Sequence, residues 1–121
     1  MPEFSNPFSV LKHDRPLTHA ELVRAVRYLV AAEYEATQLY EQLAESTDNV
    51  LAQKVLRDVA DEEKVHAGEF LRLLKELQPD EEDFYRQGAA EVEEEFLGRP
   101  AAAAAPPAPE GIGLGIGSLK K

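Results

Sequence analysis

Two helix-length stripes of apolar residues, separated only by Ser46-Thr47-Asp48-Asn49, restrict this chain to a helical hairpin. The first stripe reads Leu22, Val26, Leu29, Glu33, Ala36, Tyr40, Leu43, and the second Ala52, Leu56, Val59, Glu63, His66, Phe70, Leu73, Leu77. Spacing of three and four residues places each set on one face of an α-helix. Thr18-x-x-Glu21 is a capping box, so the first helix starts there and runs to about Ser46. The second runs from about Asn49 to Leu77 and stops before Pro79. A turn this short makes the two helices antiparallel neighbours.

Both stripes are broken by groups that dislike an apolar face. Glu33 lies about 15 residues before the middle of the turn and Glu63 about 15 after it, so each sits roughly 22 Å from the turn, level across the helix pair. His66 follows Glu63 by one helical turn and shares its face. A carboxylate in such a place is expensive to bury unless something pairs with it. Two acids and an imidazole at one height are what a bound cation requires. Glu62 also shares a face with His66, but Glu63 continues the Leu56–Val59 stripe and is preferred. Tyr40 reads as packing or as a neighbour of the ligands, and Glu69 as an exposed acid. Glu35 points well away from the stripe, where it can draw cations inward. His13 and His19 read as surface residues.

A Glu plus a Glu-x-x-His is half of the di-iron carboxylate set, which takes four helices. A symmetric homodimer supplies the other half, with the twofold axis through the metal pair, and also covers apolar surface that a lone hairpin leaves open. The bridging carboxylate is then Glu63 or Glu33. The ligands are hard oxygen and imidazole nitrogen, which suits iron. Two ferrous ions held close together can deliver two electrons to one oxygen molecule.

The 121 residues give room for one domain, and the 44% hydrophobic content suffices for its core. No run approaches the roughly 20 apolar residues of a membrane span, and Met1-Pro-Glu-Phe-Ser-Asn-Pro, without a basic patch followed by an apolar stretch, does not read as a signal peptide. With no cysteine, thiolate metal sites and disulfides are excluded, and a cytoplasmic location is expected. A formal net charge of −10 argues against nucleic acid as a partner.

The expected layout is an irregular segment over 1–17, a helical domain over 18–98, an Ala/Pro-rich spacer over 99–110 and a docking peptide over 111–121. Asp80 to Leu97 reads as a short third helix with an acidic first turn. In the last segment Ile112, Leu114 and Ile116 alternate with glycines, and Leu119 precedes two lysines. In an extended chain those alternate side chains point one way and can enter successive pockets of a partner.

Glu33-Tyr-Glu-Ala…Tyr40, Asp61-Glu-Glu-Lys-Val-His66 and the tail together resemble the encapsulated ferritins, small ferritin-like proteins carried as cargo inside encapsulin shells. The resemblance implies an all-α protomer: an antiparallel two-helix hairpin plus a short third helix, dimerising into a ferritin-like four-helix bundle. It further implies a ferroxidase centre formed between two subunits, and five dimers in a ring-shaped decamer. It assigns Glu33, Glu63 and His66 as iron ligands, Glu35 as an outer acid where iron arrives, and the Gly-Ser-Leu-Lys ending as a cargo-loading peptide. Ala32 stands where family members often have an acid, and Leu39 where an aromatic often precedes Tyr40. Set against an encapsulin-targeted ferroxidase are a rubrerythrin-like peroxidase, a structural Zn or Mn site and a non-catalytic helical adaptor tethered by its tail.

Overall fold

A computed structural model describes residues 12–100 of the chain. Ile112, Leu114, Ile116 and Leu119, expected from sequence to dock on a partner, lie outside the described residues.

Helix α1 spans His19–Glu45. Its start is fixed by the capping box: the Glu21 N–H donates to Thr18 Oγ1 at 3.2 Å and the Thr18 N–H donates to Glu21 Oε1 at 2.8 Å. Arg15 adds a two-point guanidinium contact to the same carboxylate, at 2.7 and 2.9 Å. Arg15 first, then the Thr18 N–H, hold the Glu21 carboxyl well below the usual range. Helix α2 spans Val50–Leu77. Asn49 caps it by accepting from the Ala52 N–H at 2.9 Å, and Gln53 Nε2 donates back to the Thr47 carbonyl at 2.6 Å, which ties down the turn. Helix α3 spans Glu81–Glu91 and passes into a π-helical turn, Val92–Phe96. Gly98 ends the run with φ at 66°, a conformation costly for any residue with a Cβ. Among the described residues there is no strand, so the class is all-α, as the stripes require.

The hairpin core runs along the seam between α1 and α2. Val23, Val26, Val30 and Ala44 face Ala60, Ala67 and Leu74, all buried. Val23, Val26 and Leu74 form one cluster, covered by Phe70 and Leu77. This seam is rotated from the expected stripe on α1. Leu22, Leu29 and Leu43 remain 38%, 42% and 45% exposed, and Leu73 on α2 remains 43% exposed. Small side chains explain the rotation, because Ala44, Ala60 and Ala67 let the two backbones close where leucines would hold them apart. The stripe therefore divides into an inner edge used within the chain and an outer edge left in solvent.

The first compact unit ends at Glu82. Within it, the Arg27 guanidinium pairs with Glu81 at the start of α3. In the second unit, which begins at Asp83, Phe84, Tyr85, Val92 and Phe96 are exposed. No helix among the described residues is long and apolar enough to cross a membrane.

Candidate metal centre

Glu33 enters the seam from α1, two helical turns beyond Val26, and meets Glu63 and His66 of α2. His66 Nδ1 lies 3.3 Å from Glu63 Oε1 and 3.7 Å from Glu33 Oε2. One donor atom from each of the three residues falls within 4.8 Å of the others. The spacing in sequence accounts for this: an i, i+3 pair on α2 shares a face, and the antiparallel turn brings Glu33 to the same height. The two carboxylates are mostly covered, with side chains 16% and 18% exposed, whereas His66 is 48% exposed. The group is thus walled by the hairpin on the carboxylate side and open at the imidazole.

Its electrostatics are unresolved within the protomer. Glu33 Oε2 is the one buried side-chain nitrogen or oxygen among the described residues with no hydrogen-bond partner. The neighbouring Glu63 carboxyl first, and burial next, push the Glu33 carboxyl above the ordinary range, while His66 pulls it back. An acid in this position is poorly satisfied as a carboxylate. A cation removes the repulsion between the two acids and gives Oε2 a partner. The donor set of two carboxylates and an imidazole fits iron, manganese or zinc, and the absence of thiols disfavours softer ions.

The rubrerythrin family model matches residues 25–102, which takes in Glu33, Glu63 and His66. The encapsulin nanocompartment cargo protein EncC of Myxococcus xanthus is 35% identical over the whole of both chains. This chain belongs to the rubrerythrin family and is an encapsulated ferritin. The solved encapsulated ferritin domain from Pyrococcus furiosus superposes with a TM-score of 0.68 at 39% identity, over 76% of this chain and 93% of that one. A ferritin-like–encapsulin shell fusion protein of Pyrococcus furiosus is 40% identical over 89 residues. The match takes in 74% of this chain but only 26% of that protein's length. One of these relatives is named as encapsulin cargo and another as fused to the shell itself.

Within this encapsulated ferritin the other acids singled out from sequence are not among the three grouped donors. Glu35 is half-buried and Glu62 exposed, and neither belongs to the donor group. Tyr40 is half-buried, while Leu39 and Glu69 are exposed. Two residues near the site escaped the sequence reading. Lys64, next to Glu63, reaches Glu41 of α1 and Asp61 of its own helix, both at 3.1 Å, bridging the helices beside the site. Asp61-x-x-Lys64 was readable as an i, i+3 pair, but the partner on α1 was not. Thr37, one turn beyond Glu33, is buried and donates its hydroxyl to the Glu33 carbonyl at 2.8 Å. Its only signal was a Thr four residues after an acid, which is too common to single out.

Proposed function

We propose that this encapsulated ferritin is a ferroxidase that oxidises Fe²⁺ to Fe³⁺ with dioxygen, and that its di-iron site forms between two copies of the chain. The observation that carries the reading is the buried, partnerless Oε2 of Glu33 beside Glu63 and His66. Glu33, Glu63 and His66 of each copy would hold the substrate iron, whose chemistry is one-electron transfer from each of two neighbouring ferrous ions. The carboxylates neutralise charge and keep the hard ion in an oxygen-rich pocket. His66 Nδ1, the ring nitrogen facing both acids, supplies the imidazole donor.

Dimerisation is supported by what the protomer leaves open. His66 is half-exposed, and Leu22, Leu29 and Leu43 lie exposed within about 80° of Glu33 around α1. A second hairpin laid on that edge would cover the leucines and bring a second donor set to the first. Such dimers would join into a ring-shaped decamer. Glu35 would attract arriving iron, with a lesser part for Glu62. Residues 18–98 would be the working domain and 99–110 a spacer. Residues 111–121 would dock Ile112, Leu114, Ile116 and Leu119 on an encapsulin shell in the cytoplasm, which would store the ferric product.

Anaerobic ferrous titration of the purified protein, followed by oxygen with oligomer mass monitored, tests the site. Glu63→Ala and His66→Ala should each abolish rapid Fe²⁺ oxidation, and wild-type rates in either variant would overturn the assignment. Deleting residues 111–121 should leave oxidation intact and prevent loading into co-expressed shells; equal co-purification with and without the tail would remove its targeting role. The rubrerythrin match favours a peroxidase as the second reading. Turnover that requires peroxide rather than dioxygen would select it.

A further inference from the structure

Thr37 is the one buried polar side chain among the described residues, at 7% exposure. It occupies the α1 seam between Val30 and Ala44, in a row that begins Val23, Val26, Val30. Valine has the same shape and no hydroxyl, so packing alone gives no reason for threonine here. A hydroxyl bonded to the carbonyl one turn back is neutral to slightly destabilising inside a helix, and often bends it. Stability therefore gives no reason either. What distinguishes this hydroxyl is its acceptor, since the carbonyl it reaches belongs to Glu33, whose buried Oε2 has no hydrogen-bond partner. A side chain on α1 reaches that carbonyl from one turn further on, at 36 or 37, and position 36 is alanine.

We propose that Thr37 is a positioning residue for the Glu33 carboxylate, holding its helical turn and leaving its oxygen free for a cation. The inference rests on the metal-centre reading above. A threonine hydroxyl has a single proton. That proton is spent on the main-chain oxygen at 2.8 Å, and the Glu33 Oε2 keeps no hydrogen-bond partner. The same bond adds a second donor to the Glu33 carbonyl, beside the helical N–H. It thereby fixes the turn of α1 from which Glu33 reaches Glu63 and His66 across the seam.

The test compares Thr37→Val and Thr37→Ser in the full-length protein, using Co²⁺ as probe. Affinity is read by calorimetry and the visible spectrum, with circular dichroism, oligomer mass and the metal-free thermal midpoint as controls. Thr37→Val should weaken Co²⁺ binding by about tenfold, the lower end for residues that orient ligands, at an unchanged or higher thermal midpoint. Thr37→Ser, which keeps the hydroxyl, should bind as wild type does. Wild-type affinity in the valine variant would overturn the proposal. So would equal losses in both variants, or a loss that follows the thermal midpoint, since either would make Thr37 a packing residue. Failure of the wild-type protein itself to bind Co²⁺ would remove the metal centre and this inference with it. An unaffected valine variant beside a binding wild type would remove this inference alone.

Discussion

Around Val26 the seam between α1 and α2 is closed, with Val23, Val26 and Leu74 buried and Phe70 and Leu77 laid over them. Two turns further along α1 the same seam holds Glu33, Glu63 and His66, an oxygen without a partner and an imidazole open to solvent. Both levels are made by the same two helices. At the first, every side chain is satisfied by its neighbours, and burial of apolar surface holds the hairpin together. At the second, two acids crowd each other, and the half-exposed His66 only partly offsets them. The contrast separates two jobs within one packing seam: the dry end carries the hairpin's stability, and the polar level spends part of it on a place for a ligand.

The comparison breaks most visibly if the dry end proves dispensable. Val26→Ala removes two methyl groups from the most buried large side chain, at 1% exposure, and should destabilise the protein by about 2 kcal/mol in urea unfolding. A change near zero would mean that the seam is not where stability resides. Glu33→Gln should have a smaller effect of opposite sign. It removes a poorly satisfied charge and should stabilise the metal-free protein by about 1 kcal/mol while abolishing metal binding. A destabilised glutamine variant would turn Glu33 into a structural residue and erase the distinction between the two levels.

Acidification gives the smallest and sharpest test. Because the Glu33 carboxyl is held above its ordinary range, the folded metal-free protein takes up a proton there before the unfolded chain does. The destabilisation from this group is full above the raised value and is relieved as pH falls through it toward the ordinary carboxylate range. Metal affinity should decline over the same window, as protons displace the cation. Glu21 behaves in the opposite sense: its carboxyl is depressed, so its contribution is whole above the ordinary carboxylate range and is lost progressively as pH falls from there through the depressed one. Thermal midpoints in chelator should therefore rise slightly from neutral to mildly acidic pH in the wild type and stay level in Glu33→Gln. Identical profiles in the two proteins would exclude Glu33 as the source.

Much of this architecture was written in local spacing. Thr18 and Glu21 announce the start of α1, Asn49 that of α2, and Pro79 follows the end of α2; these signals act within a few residues and survive any packing. Glu33, Glu63 and His66 reach one height because a short turn and a fixed rise per residue make the count of positions a distance. What the count leaves open is rotation. A stripe at 3–4 spacing is broad enough to serve two surfaces, and nothing local says which edge meets α2. Only tertiary packing chose Val23, Val30 and Thr37 for the seam and left Leu22, Leu29 and Leu43 outside, because Ala44, Ala60 and Ala67 allow the helices to approach where leucines would not. That rotation strands Glu33 Oε2 without a hydrogen-bond donor and buries Thr37 in the seam. It also sets Lys64 against Glu41, which lies 23 residues away in sequence. Burial and partnership depend on what arrives from the other helix, and for that reason no pattern within one helix encodes them.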